Sequence, residues 1–336
     1  GNFLENAPVW KAYFTISLPV VFSMVVTLVY NMVDTFFVAG TQNASLVAGV
    51  SQCTPLFMLM LALGDIFGLG GSSLISRLFG QKDDETARNV SGFCFYAAIV
   101  CGLIVTVLMF AFQGPVLRVL GATSDTLKYA SQYYFWIALG APLIILSLTP
   151  SNIIRTEGLA MQSMIASVAG SILNIVLDPI FIFTLGMGAG GAALATVLGY
   201  VLSDVLLVCY ILRKSRHLTV SIRHARVARK FVTSVFVIGI PASLTNLMQS
   251  YNIMVLNRHL ISYGPKAVAA MGITMKVNMI IMMILVGFAF GAQPLIGYAY
   301  GAGNRSRLRA VIRFDLLVEV GFSAVASVVV IVLRRS

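Results

Sequence analysis

The feature that most constrains this chain is a series of long apolar segments that follow one another almost from end to end. Each is long enough to cross the hydrocarbon core of a bilayer, for which a helix needs roughly 20 residues. Hydrophobic residues make up 58% of the chain and charged residues 10%, against roughly 25% charged in a soluble domain. The predicted fold class is therefore an all-α polytopic membrane protein. Nine spans are predicted, at about 12–39, 46–79, 88–113, 128–152, 161–185, 190–213, 231–262, 266–300 and 308–333.

The basic residues predict the orientation of the chain. The net charge is +11, and the largest basic cluster, from Arg213 to Lys230, lies between two apolar segments. If the N-terminus is cytoplasmic, most of the lysines and arginines fall on the cytoplasmic side, as the positive-inside rule requires. The cluster is typical of a cytoplasmic loop that contacts membrane lipids, and its position argues against a nucleic-acid partner.

The chain also repeats itself at a spacing of about 221 residues. Pro19 in the first span has a counterpart in Pro241 of the seventh. A pair of glycines ten residues apart recurs, at Gly70 and Gly80 and again at Gly291 and Gly301. Six spans lie within one period, so the two halves keep the same orientation, as in transporters with parallel repeats.

The repeat predicts the domain organisation. We expect residues 1–213 to form an N-lobe of six transmembrane helices and residues 214–230 to form a basic cytoplasmic loop. Residues 231–336 would then supply three helices of a C-lobe. Since two equal halves require about 440 residues, we interpret this chain as truncated after its ninth span.

Two acids lie inside otherwise apolar spans, Asp34 in the first and Asp178 in the fifth. A carboxylate at membrane depth costs roughly 2.5–3.5 kcal/mol on insertion scales, so such residues are usually functional. Tyr30 and Asn174 each precede an acid by four residues and share its helix face. The alternation of spans places Thr196 at a similar depth. These oxygen ligands predict a buried site for a proton or a small hard cation such as Na⁺, and no site for a soft metal.

Two prolines lie in the spans that carry these acids. Pro179 directly follows Asp178, and Pro19 precedes Asp34 in the first span. A proline removes an N–H group from its helix and frees the carbonyl four residues earlier. We expect these positions to bend their helices or to lend a carbonyl to an ion, and the alternative interpretation is a static kink.

Five segments of the chain carry a resemblance to a known family. They are Met32–Thr35 with Val38–Gly40, Gly71–Gly80, Asn152–Gly158, Leu173–Pro179 and Gly190–Thr196. Together they resemble the multidrug and toxic compound extrusion (MATE) family of transporters, most closely its bacterial and archaeal DinF-like branch. The resemblance covers essentially the whole chain.

The resemblance implies a two-lobed MATE-type bundle whose central cavity alternates its access, here with a complete N-lobe and about three helices of the C-lobe. It implies an H⁺- or Na⁺-coupled antiporter that exports small organic compounds and acts as a monomer in a bacterial or archaeal cytoplasmic (inner) membrane. It implies no enzyme activity and no cofactor beyond the coupling ion. The family's N-lobe cation site matches Asp34, Asn174, Asp178 and Thr196, with Tyr30 and Asn152 nearby.

Three other functions agree with parts of the sequence. A flippase of the same superfamily moves lipid-linked sugars, but its cavity carries basic residues, whereas this N-lobe interior is acidic. An intramembrane aspartyl protease requires Gly-x-Gly-Asp, and the closest match is Ala62–Asp65. The third is a non-transporting remnant of a truncated gene.

Direct use of ATP is not supported, because the chain has no Gly-x-x-x-x-Gly-Lys-Ser/Thr segment.

Two further acids lie inside spans, Asp65 in the second and Asp204 in the sixth. Asp65 either joins a relay with the cation site or lies between the lobes. The sequence leaves the role of Asp204 equally open.

Overall fold

The computed structural model describes residues 2–335, and most of them are helical. The α-helices in this range are α1 (Asn2–Asn6), α2 (Val9–Ala39), α3 (Ala44–Gln52), α4 (Thr54–Gly80), α5 (Asp84–Ala111), α6 (Gln113–Val119), α7 (Leu127–Ile153), α8 (Ala160–Pro179), α9 (Ala189–Lys214), α10 (Arg229–Leu260), α11 (Pro265–Gly301) and α12 (Arg305–Leu333).

Nine segments of the described chain are long and apolar enough to cross a membrane, which confirms the predicted fold class and number of spans. The second span differs from the prediction of one helix over about 46–79, because α3 ends at Gln52 and α4 begins at Thr54. Pro55 has no N–H group with which to continue α3, and it suits the first turn of a new helix. The span therefore consists of two helices that meet at Cys53.

The first six spans form one bundle around α7. This helix packs against α4, α5 and α9, while α8 packs against both α9 and α2. The helices approach closely at glycines: a side chain on Gly102 would collide with Pro142, and one on Gly64 with the backbone of Ile145. Small residues at helix crossings allow this approach, which favours association inside a membrane. We call these six spans the first helix group.

The last three spans, the second helix group, join the first near one end. α10 packs against α4, and α11 packs against α2 and α4. The closest contacts lie in the N-terminal half of α2 and from the middle of α4 to its C-terminal end. Gly291 lies against Ser17, and Gly239 lies against Ile66. Beyond this junction α10 exposes large side chains such as Met248, which is 62% exposed. The two groups are thus tightly packed at the junction, and the opposite end of α10 is open.

Contacts at the junction are reciprocal. Gly80 lies against the backbone of Tyr298, and Gly301 lies against the backbone of Arg77. Arg77 and Tyr298 are counterparts in the sequence repeat, as are the two glycines. An approximate two-fold relation between the repeats produces this exchange of partners.

The segment between α9 and α10 is held against the first helix group. Glu157 accepts hydrogen bonds from the Ser215 hydroxyl at 2.7 Å and from the backbone N–H groups of residues 216–218 at 3.1–3.2 Å. The Tyr96 hydroxyl donates to the carbonyl of Val220 at 2.6 Å. These contacts fix residues 215–220 to the end of α7 and to α5.

We expect Gly301→Ala to destabilise the junction. A Cβ at this position would lie under 3.0 Å from the backbone of Arg77, and overpacking of this kind costs about 1–3 kcal/mol. Thermal unfolding in detergent measures the effect as a lower melting temperature. Gly272→Ala is the matched control, because a Cβ there meets nothing within 4 Å and alanine favours the helix. Equal melting temperatures for the two variants would contradict the close approach.

Candidate functional site

The carboxyl groups of Asp34 and Asp178 meet inside the first helix group. Asp34 lies near the C-terminal end of α2, and Asp178 is the penultimate residue of α8. Their side chains contact each other, and Asp178 is fully buried. The structure therefore brings together the two acids for which the sequence predicts a common depth. We call them the acid pair.

Most oxygen atoms of the acid pair have no hydrogen-bond partner. Among the described residues, none donates to Oδ1 of Asp34 or to either oxygen of Asp178, and Oδ1 of Asn174 is likewise buried without a partner. Buried polar atoms in proteins are nearly always hydrogen-bonded. Two ionised carboxylates in contact also repel strongly where water is scarce. The arrangement calls for positive charge, either a proton on one carboxyl group or a cation held between the oxygens.

Neutral hydrogen bonds hold the remaining site residues in place. The Thr196 hydroxyl donates to the carbonyl of Ala192 at 3.1 Å. With its proton used in this way, Thr196 Oγ1 accepts from the Tyr30 hydroxyl at 3.1 Å and from Asn174 Nδ2 at 3.4 Å. The amide of Asn174 therefore uses its donor here and leaves Oδ1 available to another ligand.

The site depends on a close approach of α8 and α9 that the sequence analysis missed. A Cβ on Gly199 would lie 2.7 Å from the carbonyl oxygen of Gly170 and 3.2 Å from Cβ of Asn174. Only hydrogen at these positions lets α9 lie near enough for Thr196 to reach Asn174. The signal was present, because Gly170 precedes Asn174 by one helical turn.

A polar cavity adjoins the site, and the sequence analysis missed it too. Its volume is about 90 Å³, enough for more than one water molecule. Hydroxyl and amide groups line most of it: Thr27, Tyr30, Ser147, Ser167, Ser171, Asn174, Thr196, Tyr200 and Ser203. The serines of α8 precede Asn174 at helical spacing, so the polar face of this helix extends two turns beyond Asn174.

Asn152 and Asp65 make their hydrogen bonds elsewhere. Asn152 donates to the carbonyl of Leu148 at 2.7 Å and accepts from Arg155 at 3.2 Å. Asp65 Oδ2 accepts from Asn246 of α10 at 2.7 Å. Asp65 thus bridges the two helix groups, which is one of the two positions that the sequence allowed for it.

The two prolines affect their helices differently. α2 continues through Pro19, whose carbonyl accepts from the Ser23 hydroxyl at 3.0 Å. α8 ends at Pro179, and the chain continues as a wide π-turn over Ile180–Thr184. The π-turn begins two residues after Asp178 and changes the direction of the chain beside the acid pair.

Comparison with known proteins places these features in a family context. The family model MatE matches residues 19–180 and 241–336. The multidrug export protein MepA of Staphylococcus aureus is 33% identical over 311 residues, which cover 93% of this chain and 69% of that protein. MepA of Staphylococcus haemolyticus is 31% identical over 334 residues, covering 99% and 74%. A multidrug resistance MATE family transporter of the MOP superfamily, solved in an outward-facing conformation, superposes with a TM-score of 0.91 at 30% identity, covering 99% and 74%.

We expect Asp178→Asn to raise the thermal stability of the protein. An amide in place of this carboxyl group removes the repulsion within the acid pair and donates a hydrogen bond to Asp34. Melting temperatures in sodium-free detergent at alkaline pH, where no proton neutralises the acid pair, test this, with Asp125→Asn, an exposed position, as the control. A melting temperature lowered by Asp178→Asn would show that the acid pair is not a repulsive contact.

Proposed function

The chain belongs to the MatE family, and from this premise we propose that it is a cation-coupled antiporter that exports small organic, drug-like compounds. The export activity named for the two MepA relatives supports this class of substrate. The family consists of transporters rather than enzymes, so the protease hypothesis has no support. The single observation that carries the proposal is the acid pair, because two carboxyl groups that require a positive charge lie inside membrane spans.

The coupling ion is H⁺ or Na⁺. The proposed ligands are oxygens of Asp34, Asp178 and Asn174, which have no other partner among the described residues. Thr196, whose hydroxyl is taken up by hydrogen bonds to Ala192, Tyr30 and Asn174, holds Asn174 in place beside the ion. Hard oxygen ligands suit either ion. Each charge that crosses a membrane potential of 100 mV releases about 2.3 kcal/mol, which supplies the driving force. An acidic interior also disfavours the flippase hypothesis.

The two helix groups serve as the lobes of the transporter. Residues 1–213 form the N-lobe, residues 214–230 the connecting loop and residues 231–336 the described part of the C-lobe. The basic loops lie at the junction end, which the positive-inside rule assigns to the cytoplasm together with the N-terminus. The protein spans a bacterial cytoplasmic membrane, and its state here is closed inside and open outside.

Transport follows from this geometry. A cation from outside reaches the acid pair near the outer end of α2 and cancels the repulsion between the carboxylates. α2 and α8 then settle into a different packing around Pro19 and Pro179, and the substrate is released outward. The transporter, now free of substrate but still carrying the cation, returns to the inward-open state and releases the cation to the cytoplasm.

Loss of coupling in Asp178→Asn tests the proposal. The complete protein is reconstituted in liposomes, and dye efflux is followed under an imposed proton or sodium gradient. We expect at least a ten-fold loss of gradient-driven efflux, because the amide accepts no cation charge. The melting temperature confirms folding, and Asp125→Asn should transport normally. Unchanged efflux in folded Asp178→Asn would rule the proposal out.

Polar contacts at the junction hold the closed side together. Lys82 Nζ donates to Glu5 Oε2 at 2.9 Å and to the Tyr298 hydroxyl at 2.6 Å. The hydrogen bond from Lys82 lowers the pKa of Glu5, and those with Tyr298 and Glu5 raise the pKa of Lys82. Both groups are therefore charged at neutral pH. Because the pKa of Glu5 is lowered, its contribution is present at neutral pH and is lost as the pH falls through that lowered value.

We expect Lys82→Gln to shift the lobes toward the inward-open state. Spin labels at Gln81 and Ser306, in a protein without its native cysteines, should report a larger share of long distances than in the unaltered protein. The shift should diminish at high salt, since the ion pair is exposed and screened. Lys11→Gln, on the same side of the membrane, is the control. Identical distance distributions for the two variants would exclude a role for Lys82 in closing this side.

A further inference from the structure

Asp204 is a buried acid that the mechanism above does not use. It lies within the span formed by α9 and is 4% exposed. Neither of its carboxylate oxygens has a hydrogen-bond partner in the part of the chain that the structure describes. On the same helix, by contrast, the Thr196 hydroxyl makes three hydrogen bonds. Asp204 therefore shares with Asp178 the two properties that mark the acid pair, burial and unsatisfied oxygens.

The polar cavity reaches from Asn174 and Thr196, the neighbours of the acid pair, to Ser203, which directly precedes Asp204 in α9. Thr196, Tyr200 and Asp204 follow one another at intervals of four residues, so they lie along one face of α9. Tyr200 and Ser203 line the cavity whose wall also contains Asn174. The rise from Thr196 to Asp204 is about 12 Å, and a further 15 Å or so leads to the end of α9 at Lys214.

We propose that Asp204 is a second station for the transported monovalent cation, which reaches it from the acid pair through the polar cavity. This inference rests on the proposed cation coupling and specifies where the ion goes after the acid pair. It explains why the cavity carries hydroxyl groups in an otherwise apolar bundle. It also explains why a carboxylate lies deep in α9 without a neighbour to neutralise it.

Charge balances at each step. If the ion is a proton, it leaves a carboxyl group of the acid pair, passes along water and hydroxyl groups of the cavity, and binds an oxygen of Asp204. The acid pair regains a negative charge, and Asp204 becomes neutral. If the ion is Na⁺, Asp204 stays ionised and pairs with it. Arg155, a buried cation of the same helix group, donates to Asn152, and no basic side chain of the described residues forms an ion pair with Asp204.

The test compares Asp204→Asn with Asp204→Glu in the complete protein, reconstituted in liposomes. One arm imposes a pH gradient without sodium, and the other imposes a sodium gradient at equal pH. In the arm that drives the unaltered protein, we expect Asp204→Asn to lose at least ten-fold of dye efflux and Asp204→Glu to keep most of it. The effect of the same ion on the carbodiimide reaction of Asp178, slower in Na⁺ or faster on protonation, should stay within two-fold of that in the unaltered protein, since the first station is intact.

Normal efflux by Asp204→Asn, beside inactive Asp178→Asn, would overturn this inference and leave the proposed function standing. Normal efflux by both variants would overturn the proposed function itself. Loss of the ion's effect on the carbodiimide reaction of Asp178 in folded Asp204→Asn would show that Asp204 has a structural role. That result would also overturn the inference.

A second pair of variants keeps the test valid if Asp204→Asn does not fold. Ser171→Leu fills the cavity with an apolar side chain and changes neither carboxyl group, whereas Ile172→Leu, at an exposed position of the same helix, leaves the cavity open. We expect only Ser171→Leu to lose efflux, while the effect of the ion on the carbodiimide reaction of Asp178 persists. Equal efflux by the two variants would contradict passage through the cavity.

Discussion

The contact between two buried carboxyl groups is the interaction on which the rest of this structure depends. Asp34 and Asp178 belong to helices that are far apart in sequence, and they meet where water is scarce. Their repulsion is too large to persist without positive charge, so under the proposed cation coupling the local packing of α2 against α8 responds to ion binding. A protein that binds an ion more tightly in one packing than in another converts an ion gradient into movement.

The bundle is arranged to permit this contact. α7 supplies a fixed centre, and glycines at the crossings let the surrounding helices approach its backbone. Gly170 and Gly199 do the same for α8 and α9, which aligns Asn174 with Thr196. The hydroxyl network is neutral and fully bonded, so it holds its members in place while the neighbouring acids remain unsatisfied. A rigid network of satisfied hydrogen bonds thus lies next to a pair of carboxyl groups that repel each other.

Local spacing in the sequence was sufficient for part of this picture. The apolar segments specify nine spans, and the four-residue spacing of Tyr30 with Asp34 and of Asn174 with Asp178 places each pair on one helix face. The cavity beside the site depends on which helices become neighbours, and that depends on crossings set by single glycines. The division of the second span at Cys53 was readable from Pro55, but the apolar pattern continues across it and hides the break.

The anchoring of the connecting segment by Glu157 has a mechanical consequence. Residues 215–220 are bound to the first helix group, and His224 Nδ1 lies 3.3 Å from Asn89 Oδ1, so the segment travels with that group. The covalent pivot between the two groups is therefore only the stretch 225–228 ahead of α10. Four fully extended residues span about 14 Å, and this length limits how far the start of α10 can move from the first helix group. Because this connecting stretch is short, any movement of α10 relative to the first helix group must be a rotation about a nearly fixed point.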